Sequence, residues 1–169
     1  VNKSYRTFSV EDGNIRFAMS AIKNVGEGAV ETIVRERKNN GEFTSLQNFI
    51  KRVSGQDINK RLVESLFKAG AFDSININRA TLMANFEKIW ESTNNERKNN
   101  IEGQVSLFDS VEELESKVEL IEVADFGTRE RLAMEKEVLG LYITGHPLKD
   151  YSQRLKRIAS HNTLMFKEM

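Results

Sequence analysis

From Ala18 to Trp90 the apolar residues recur at three- and four-residue spacing in short runs, and most runs are closed by a glycine. That period belongs to helices with one buried face, and the interruptions keep each helix short, so the chain is expected to be mainly α-helical. The first series starts at Ala18, breaks at Asn24-Val25-Gly26-Glu27-Gly28 and resumes through Ala29, Val30, Ile33 and Val34 until Asn39-Asn40-Gly41. Two helices therefore flank a tight glycine turn. A third helix follows Ser45, a good N-cap, with Leu46, Phe49, Ile50 and Val53 on one face and Gly55 as its stop. A fourth begins near Asn59, turns Leu62, Leu66 and Phe67 inward and ends at Ala69-Gly70. Ala80, Leu82, Met83, Phe86, Ile89 and Trp90 define a longer helix, expected to fray in the Asn-rich stretch 94–100.

Ahead of the helices, Tyr5, Thr7, Phe8 and Val10 precede Asp12-Gly13-Asn14, and Ile15 and Phe17 follow, a small β-hairpin pattern. Beyond residue 100 the helical period weakens and acidic residues dominate to about Gly127, which reads as a linker. Helix returns at Thr128, a candidate N-cap, and runs through Leu132, Met134, Val138 and Leu139 toward Gly140. Pro147 can open a last helix through Leu148, Tyr151, Leu155 and Ile158, because the first helical position needs no amide hydrogen. The expected organisation is a helical domain over residues 1–100, a linker over 101–127 and a helical segment over 128–169.

Composition narrows what such a chain does. At 169 residues and 39% hydrophobic content it can bury a real core and is not a disordered protein. The formal net charge is zero, which argues against nucleic-acid binding by bulk basicity, but the charges are unevenly placed. Lys and Arg outnumber Asp and Glu by sixteen to twelve in residues 1–100, are outnumbered one to eight in 101–127, and lead eight to five in 128–169. No cysteine is present, so disulfides, thiolate metal sites and cysteine nucleophiles are excluded, and a cytoplasmic location is expected. Neither a signal segment nor a long apolar run indicates export or a membrane, and the start at Val1 is read as a piece of a longer protein.

The turn Lys23-Asn24-Val25-Gly26-Glu27-Gly28 carries the most suggestive chemistry. If Gly26 and Gly28 adopt positive φ, bare backbone amides at the start of the next helix can receive a phosphate oxygen without reading any base. Lys23 adds a cation, with Arg35 and Arg37 as flanking charges; the plainer reading is a glycine turn that merely packs two helices. A second helix–turn unit surrounds Lys68 and Gly70, and paired units can grip both strands of a duplex across a groove, although one glycine in place of two also suits packing alone. In the acidic linker, Gln104-Val105-Ser106-Leu107-Phe108 sets Leu107 and Phe108 among polar neighbours. Such a pentapeptide can dock in a partner's apolar pocket with Gln104 as polar anchor, or fold back on its own domain.

Other residues are less eloquent. His146 has no ligand or triad partner at suitable spacing and reads as a structural cap. The series Glu112, Glu113, Glu115, Glu119 and Glu122 reads as a solvated face, and Phe86 and Trp90 as core rather than a base-stacking platform.

Four segments in order, Ala21 to Glu27, Leu66 to Asp73, Gly103 to Phe108 and Glu137 to Leu148, resemble the C-family replicative DNA polymerase alpha subunits of bacteria, the DNA polymerase III alpha family. The resemblance covers nearly the whole chain, from the end of the polymerase region toward an OB-fold. It implies a tandem helix-hairpin-helix fold that holds duplex primer-template through Lys23, Asn24, Val25, Gly26, Glu27, Gly28, Lys68 and Gly70. It also implies that Gln104, Val105, Ser106, Leu107 and Phe108 dock on the sliding clamp, with other replicative holoenzyme subunits as further partners and no membrane. The whole polymerase is implied to be a DNA-directed nucleotidyltransferase using two magnesium ions, held by carboxylates outside the matching region. The chain itself is expected to bind without catalysis and without a cofactor. Rival readings are a freestanding repair enzyme, for which Asp73 is the nearest catalytic candidate, and a scaffold whose glycine turns only pack.

Overall fold

The computed structural model describes residues 1–53, 55, 57–101 and 120–159, with the side chains of 96–101 excepted. The chain opens with β1 (Ser9–Glu11) and β2 (Asn14–Arg16), antiparallel, with Val10 opposite Ile15. Asp12 (φ 51°) and Gly13 (φ 75°) join them; two successive left-handed residues match the twist of paired strands, which is why an Asp-Gly pair closes so short a loop.

Beyond the strands the fold is helical. Met19–Ala21 forms a single 3-10 turn, followed by α1 (Glu27–Asn40), α2 (Leu46–Val53), α3 (Lys60–Lys68), a 3-10 turn at Asp73–Ile75, and α4 (Arg79–Ile101). The segment before the glycine turn is thus one 3-10 turn and not the helix expected from Ala18, since only three residues separate Ala18 from the extended Ile22. α4 also departs from expectation by continuing through the Asn-rich stretch to Ile101. α5 (Thr128–Leu139), a 3-10 turn at Lys149–Tyr151 and α6 (Ser152–Ile158) complete the described chain.

Local chemistry explains the helix ends. The Asn48 amide donates to Ser45 Oγ at 3.0 Å, the Leu62 amide to Asn59 Oδ1 at 2.9 Å and the Thr81 amide to Asn78 Oδ1 at 2.7 Å. Each such cap is worth about 1 kcal/mol. The N-cap of α5 lies one residue before the expected Thr128: Gly127 takes that place, Thr128 is the first helical residue, and the Gly127 amide donates to the Glu130 carboxylate at 2.9 Å. Left-handed Gly140 (φ 75°) ends it.

The core lies among α1 to α4. Phe43, Phe49, Phe72, Phe67 and Phe86 are buried and meet in succession with ring centroids 5.0–5.2 Å apart, mostly edge to face, and Phe86 continues to Trp90 at 5.5 Å. This geometry matches ring quadrupoles and adds about 0.5–1.5 kcal/mol per pair beyond burial. Phe86 and Trp90 are core residues, as their spacing indicates. Val138 of α5 belongs to the same cluster, so the segment after residue 127 packs on the helical body.

The end of the stretch read as a linker is also held down. Residues 120–127 lack regular secondary structure but run along α4, where the Ile121 amide donates to Asn85 Oδ1 at 2.9 Å and Asn85 Nδ2 donates back to the Ile121 carbonyl at 2.9 Å. Two residues on, the Val123 amide donates to Thr81 Oγ1 at 3.0 Å, and the Val123 carbonyl accepts from Asn78 Nδ2 at 3.0 Å.

Candidate nucleic-acid interface

The first turn is built by bonds that converge on four residues. The Ile22 amide donates to the Met19 carbonyl at 3.1 Å, the Val25 amide to the Ile22 carbonyl at 3.1 Å, and the Lys23 amide crosses to the Val138 carbonyl of α5 at 2.9 Å. Asn24 takes the left-handed conformation (φ 65°) and donates from Nδ2 to Ser65 Oγ of α3 at 3.0 Å. Val25 is buried as a wedge, while Lys23 is exposed.

Neither Gly26 nor Gly28 has the positive φ expected of it. Gly26 is extended (φ −77°, ψ 156°) as the N-cap of α1, and Gly28 lies inside the helix. Asparagine tolerates the left-handed region through its short polar side chain and so relieves the glycines of that task. What Gly26 supplies is the absence of a side chain. It offers no cap to the first turn of α1, and a Cβ there would meet nothing within 4 Å. The amides of Glu27, Gly28 and Ala29 lie in that first turn, where a helix has no internal acceptors and its dipole is positive. Two acids temper the field: Glu27 pairs with Arg6 at 3.4 Å, and Asp57 Oδ2 would lie 3.3 Å from a Cβ on Gly28. Of the flanking cations, Arg35 is exposed, but Arg37 turns inward, donating from Nη1 to the carbonyls of Val1 at 2.6 Å and Ser4 at 3.0 Å.

The second turn is organised differently. The Ala71 amide donates to the Leu66 carbonyl and the Gly70 amide to the Phe67 carbonyl, both at 2.9 Å, around left-handed Gly70 (φ 72°). This paired closure of α3 uses the turn's own amides. The Arg79 guanidinium then occupies the space over Gly70, where a Cβ would overlap it. Arg79 is bidentate to Asp73 at 3.0 and 2.7 Å and donates to the Lys68 carbonyl at 3.2 Å and to Glu135 Oε1 at 3.4 Å. Lys68 Nζ is paired with Glu137 at 2.7 Å. At this turn the arginine thus takes the space over Gly70, and the Lys68 ammonium is held by Glu137. Asp73, the carboxylate a repair enzyme would use, is committed to the same arginine.

Arg79 and Glu135 are residues that sequence reasoning missed. Both are buried, Glu135 to 1% exposure, and Glu135 Oε2 accepts from the amides of Ile143 at 2.8 Å and Thr144 at 3.0 Å. Burial acts to raise the Glu135 carboxyl, but the amides of Thr144 and Ile143 and the Arg79 guanidinium outweigh it and hold the carboxyl below the usual glutamate range. Nothing local signals this role, because Glu135 sits in a run of charges that looks like a solvent face.

The pentapeptide Gln104, Val105, Ser106, Leu107 and Phe108 lies outside the described residues, as does most of the acidic series. His146 accepts from the Leu148 amide at Nδ1, 3.2 Å away, a local bond ahead of the 3-10 turn, whose N-cap is Leu148 and has no side-chain cap, so the expected capping role is not what the histidine performs. Among the described residues no three His, Asp or Glu side chains gather to hold a metal ion. None of the described helices is long and apolar enough to cross a membrane.

Residues 1–82 match the family model for the helix-hairpin-helix motif. Over 97% of its length the chain is 36% identical to DNA polymerase III subunit alpha of Borreliella burgdorferi, covering 15% of that protein. It is 41% identical over 94% of its length to the same subunit of Neisseria meningitidis serogroup B, covering 14% of it, and 41% identical over 95% to that of Thermus aquaticus, covering 13%. The chain thus spans about one-seventh of the length of these relatives.

Proposed function

The chain belongs to the DNA polymerase III subunit alpha family, and from that premise we propose that it binds duplex DNA without sequence preference at the first turn. The observation that carries this reading is the uncapped start of α1 beside exposed Lys23, with open space over Gly26. A phosphate oxygen there meets amides and the positive end of the helix dipole, contacts that position a duplex but carry no base information. In the whole polymerase this contact steadies primer-template during DNA synthesis, while the chemistry and its magnesium ions belong to other parts of that protein. A repair enzyme is not favoured, since the relatives are polymerase subunits and Asp73 is bound by Arg79.

The same proposal extends to Gln104-Val105-Ser106-Leu107-Phe108 as a tether to the sliding clamp, supported by the apolar pair within an acidic stretch. Two titrations test it. Lys23→Glu with Gly26→Glu lowers duplex affinity at least ~10-fold, about what one charge-assisted hydrogen bond is worth, and unchanged affinity rejects the hairpin contact. Leu107→Ala with Phe108→Ala abolishes clamp binding in calorimetry while leaving duplex binding intact; an unaltered dissociation constant rejects the tether.

A further inference from the structure

The last turn of α5 touches both hairpin turns at once. Val138 accepts from the Lys23 amide of the first turn, Glu137 pairs with Lys68, and Glu135 holds the Arg79 guanidinium that fills the second. Glu135 in turn is anchored by the amides of Ile143 and Thr144, so the chain beyond α5 folds back to fix the end of that helix. The Lys23 amide immediately precedes Asn24, the residue whose left-handed conformation redirects the chain into α1. If the Val138 carbonyl moves away, that amide loses its acceptor, and the turn loses a long-range bond that sets it, leaving the one from Asn24 to Ser65.

We infer that Glu135 is a positioning residue for the duplex-binding turn, acting through α5 and the Val138 carbonyl on Lys23 and Asn24. This rests on the duplex reading above and adds to it a regulator: the segment after residue 127 sets how well the first turn is formed. Because coupling between two bound states is reciprocal, duplex bound at the first turn also tightens α5 against the body. Glu135 is buried, and its carboxylate is taken up by the Arg79 guanidinium and the amides of Ile143 and Thr144 rather than by the amides of the first turn. Its effect on DNA is therefore indirect, and its charge has the wrong sign to attract a phosphate.

The experiment uses the whole 169-residue chain, a mixed-sequence duplex of about two helical turns, and amide exchange read at Lys23 and, as core reference, at Val63 of α3. Glu135→Gln and, separately, Val138→Ala, which carries no charge change and only trims a core contact, are the variants. In each, Lys23 exchanges roughly 10-fold faster relative to Val63, and duplex affinity falls about threefold to tenfold with the slope against salt unchanged. Losing a negative charge alone would strengthen DNA binding, so weakening by Glu135→Gln points to position. Faster exchange at Lys23 with unchanged affinity overturns the inference, and so does equal acceleration at Lys23 and Val63, the signature of general destabilisation. A parent chain that binds no duplex defeats the duplex reading instead; the brace then stands or falls on whether Lys23 exchange responds selectively.

Discussion

The two hairpin turns begin from similar ingredients, a lysine, a glycine and a following helical segment, and end as opposites. At the first, the left-handed residue is Asn24, the glycine is an extended N-cap, and the space over it is empty. At the second, the glycine itself is left-handed, the amides of Gly70 and Ala71 close α3, and Arg79 fills the space that stays vacant in the first. A glycine in a helix-hairpin-helix unit thus serves either approach from outside or approach from within. Which one applies depends on whether a distant side chain has already taken the place, and here that side chain lies nine residues downstream of the turn.

The sharpest way to break this contrast is to empty the second turn. Arg79→Met leaves Glu135 buried with two amides and no cation, and is expected to destabilise the fold by about 3–5 kcal/mol in urea unfolding. The acid side adds a check on sign. Glu135 is depressed in the folded chain, so its contribution is present above the ordinary glutamate range and disappears as pH falls through its lowered folded value. In Arg79→Met the carboxyl has lost its cation and protonates at higher pH, so the stability gap between parent and variant narrows on acidification. A gap constant with pH would show that Glu135 does not depend on Arg79.

Next in size is the pair of alanine substitutions at the glycines. Gly70→Ala faces a positive φ and the guanidinium together and should cost about 2–4 kcal/mol, whereas Gly26→Ala, at an extended cap with open space, should cost less than ~1 kcal/mol. Equal losses would erase the distinction between the turns. Smallest is Asp57→Asn, which removes a carboxylate beside the first turn of α1 and should tighten duplex binding about two- to fourfold at low salt, fading as salt rises. No change in a salt series would place Asp57 outside the phosphate's field.

Much of this fold is legible in the sequence because its cues are local. Ser45 and Asn59 cap the helices they precede, the Asp-Gly pair closes the strands, and the apolar series of α2 and α3 point to the buried cluster. The first turn is legible as a place but not as a conformation: glycine was the natural choice for positive φ, and the asparagine beside it took the role because Ser65 of α3 waits to bind its side chain. The closing of the second turn is illegible for a plainer reason. Arg79 and Glu135 are separated by more than fifty residues, and each reads by itself as an ordinary surface charge. Arg37 misleads in the same way, since its guanidinium bonds the carbonyls of Val1 and Ser4 rather than facing solvent.

The segment along α4 carries a consequence for how the chain tolerates change. Asn85 and Thr81 hold this segment through the main-chain groups of residues 121 and 123, while the side chains of Ile121 and Val123 stand 67% and 39% exposed. An amide side chain that donates to the carbonyl and accepts from the N–H of one residue recognises backbone whatever side chain that residue bears. Identity at these two positions is accordingly free to vary so long as an N–H remains, and proline at either would unfasten this stretch although it touches no apolar contact of the core.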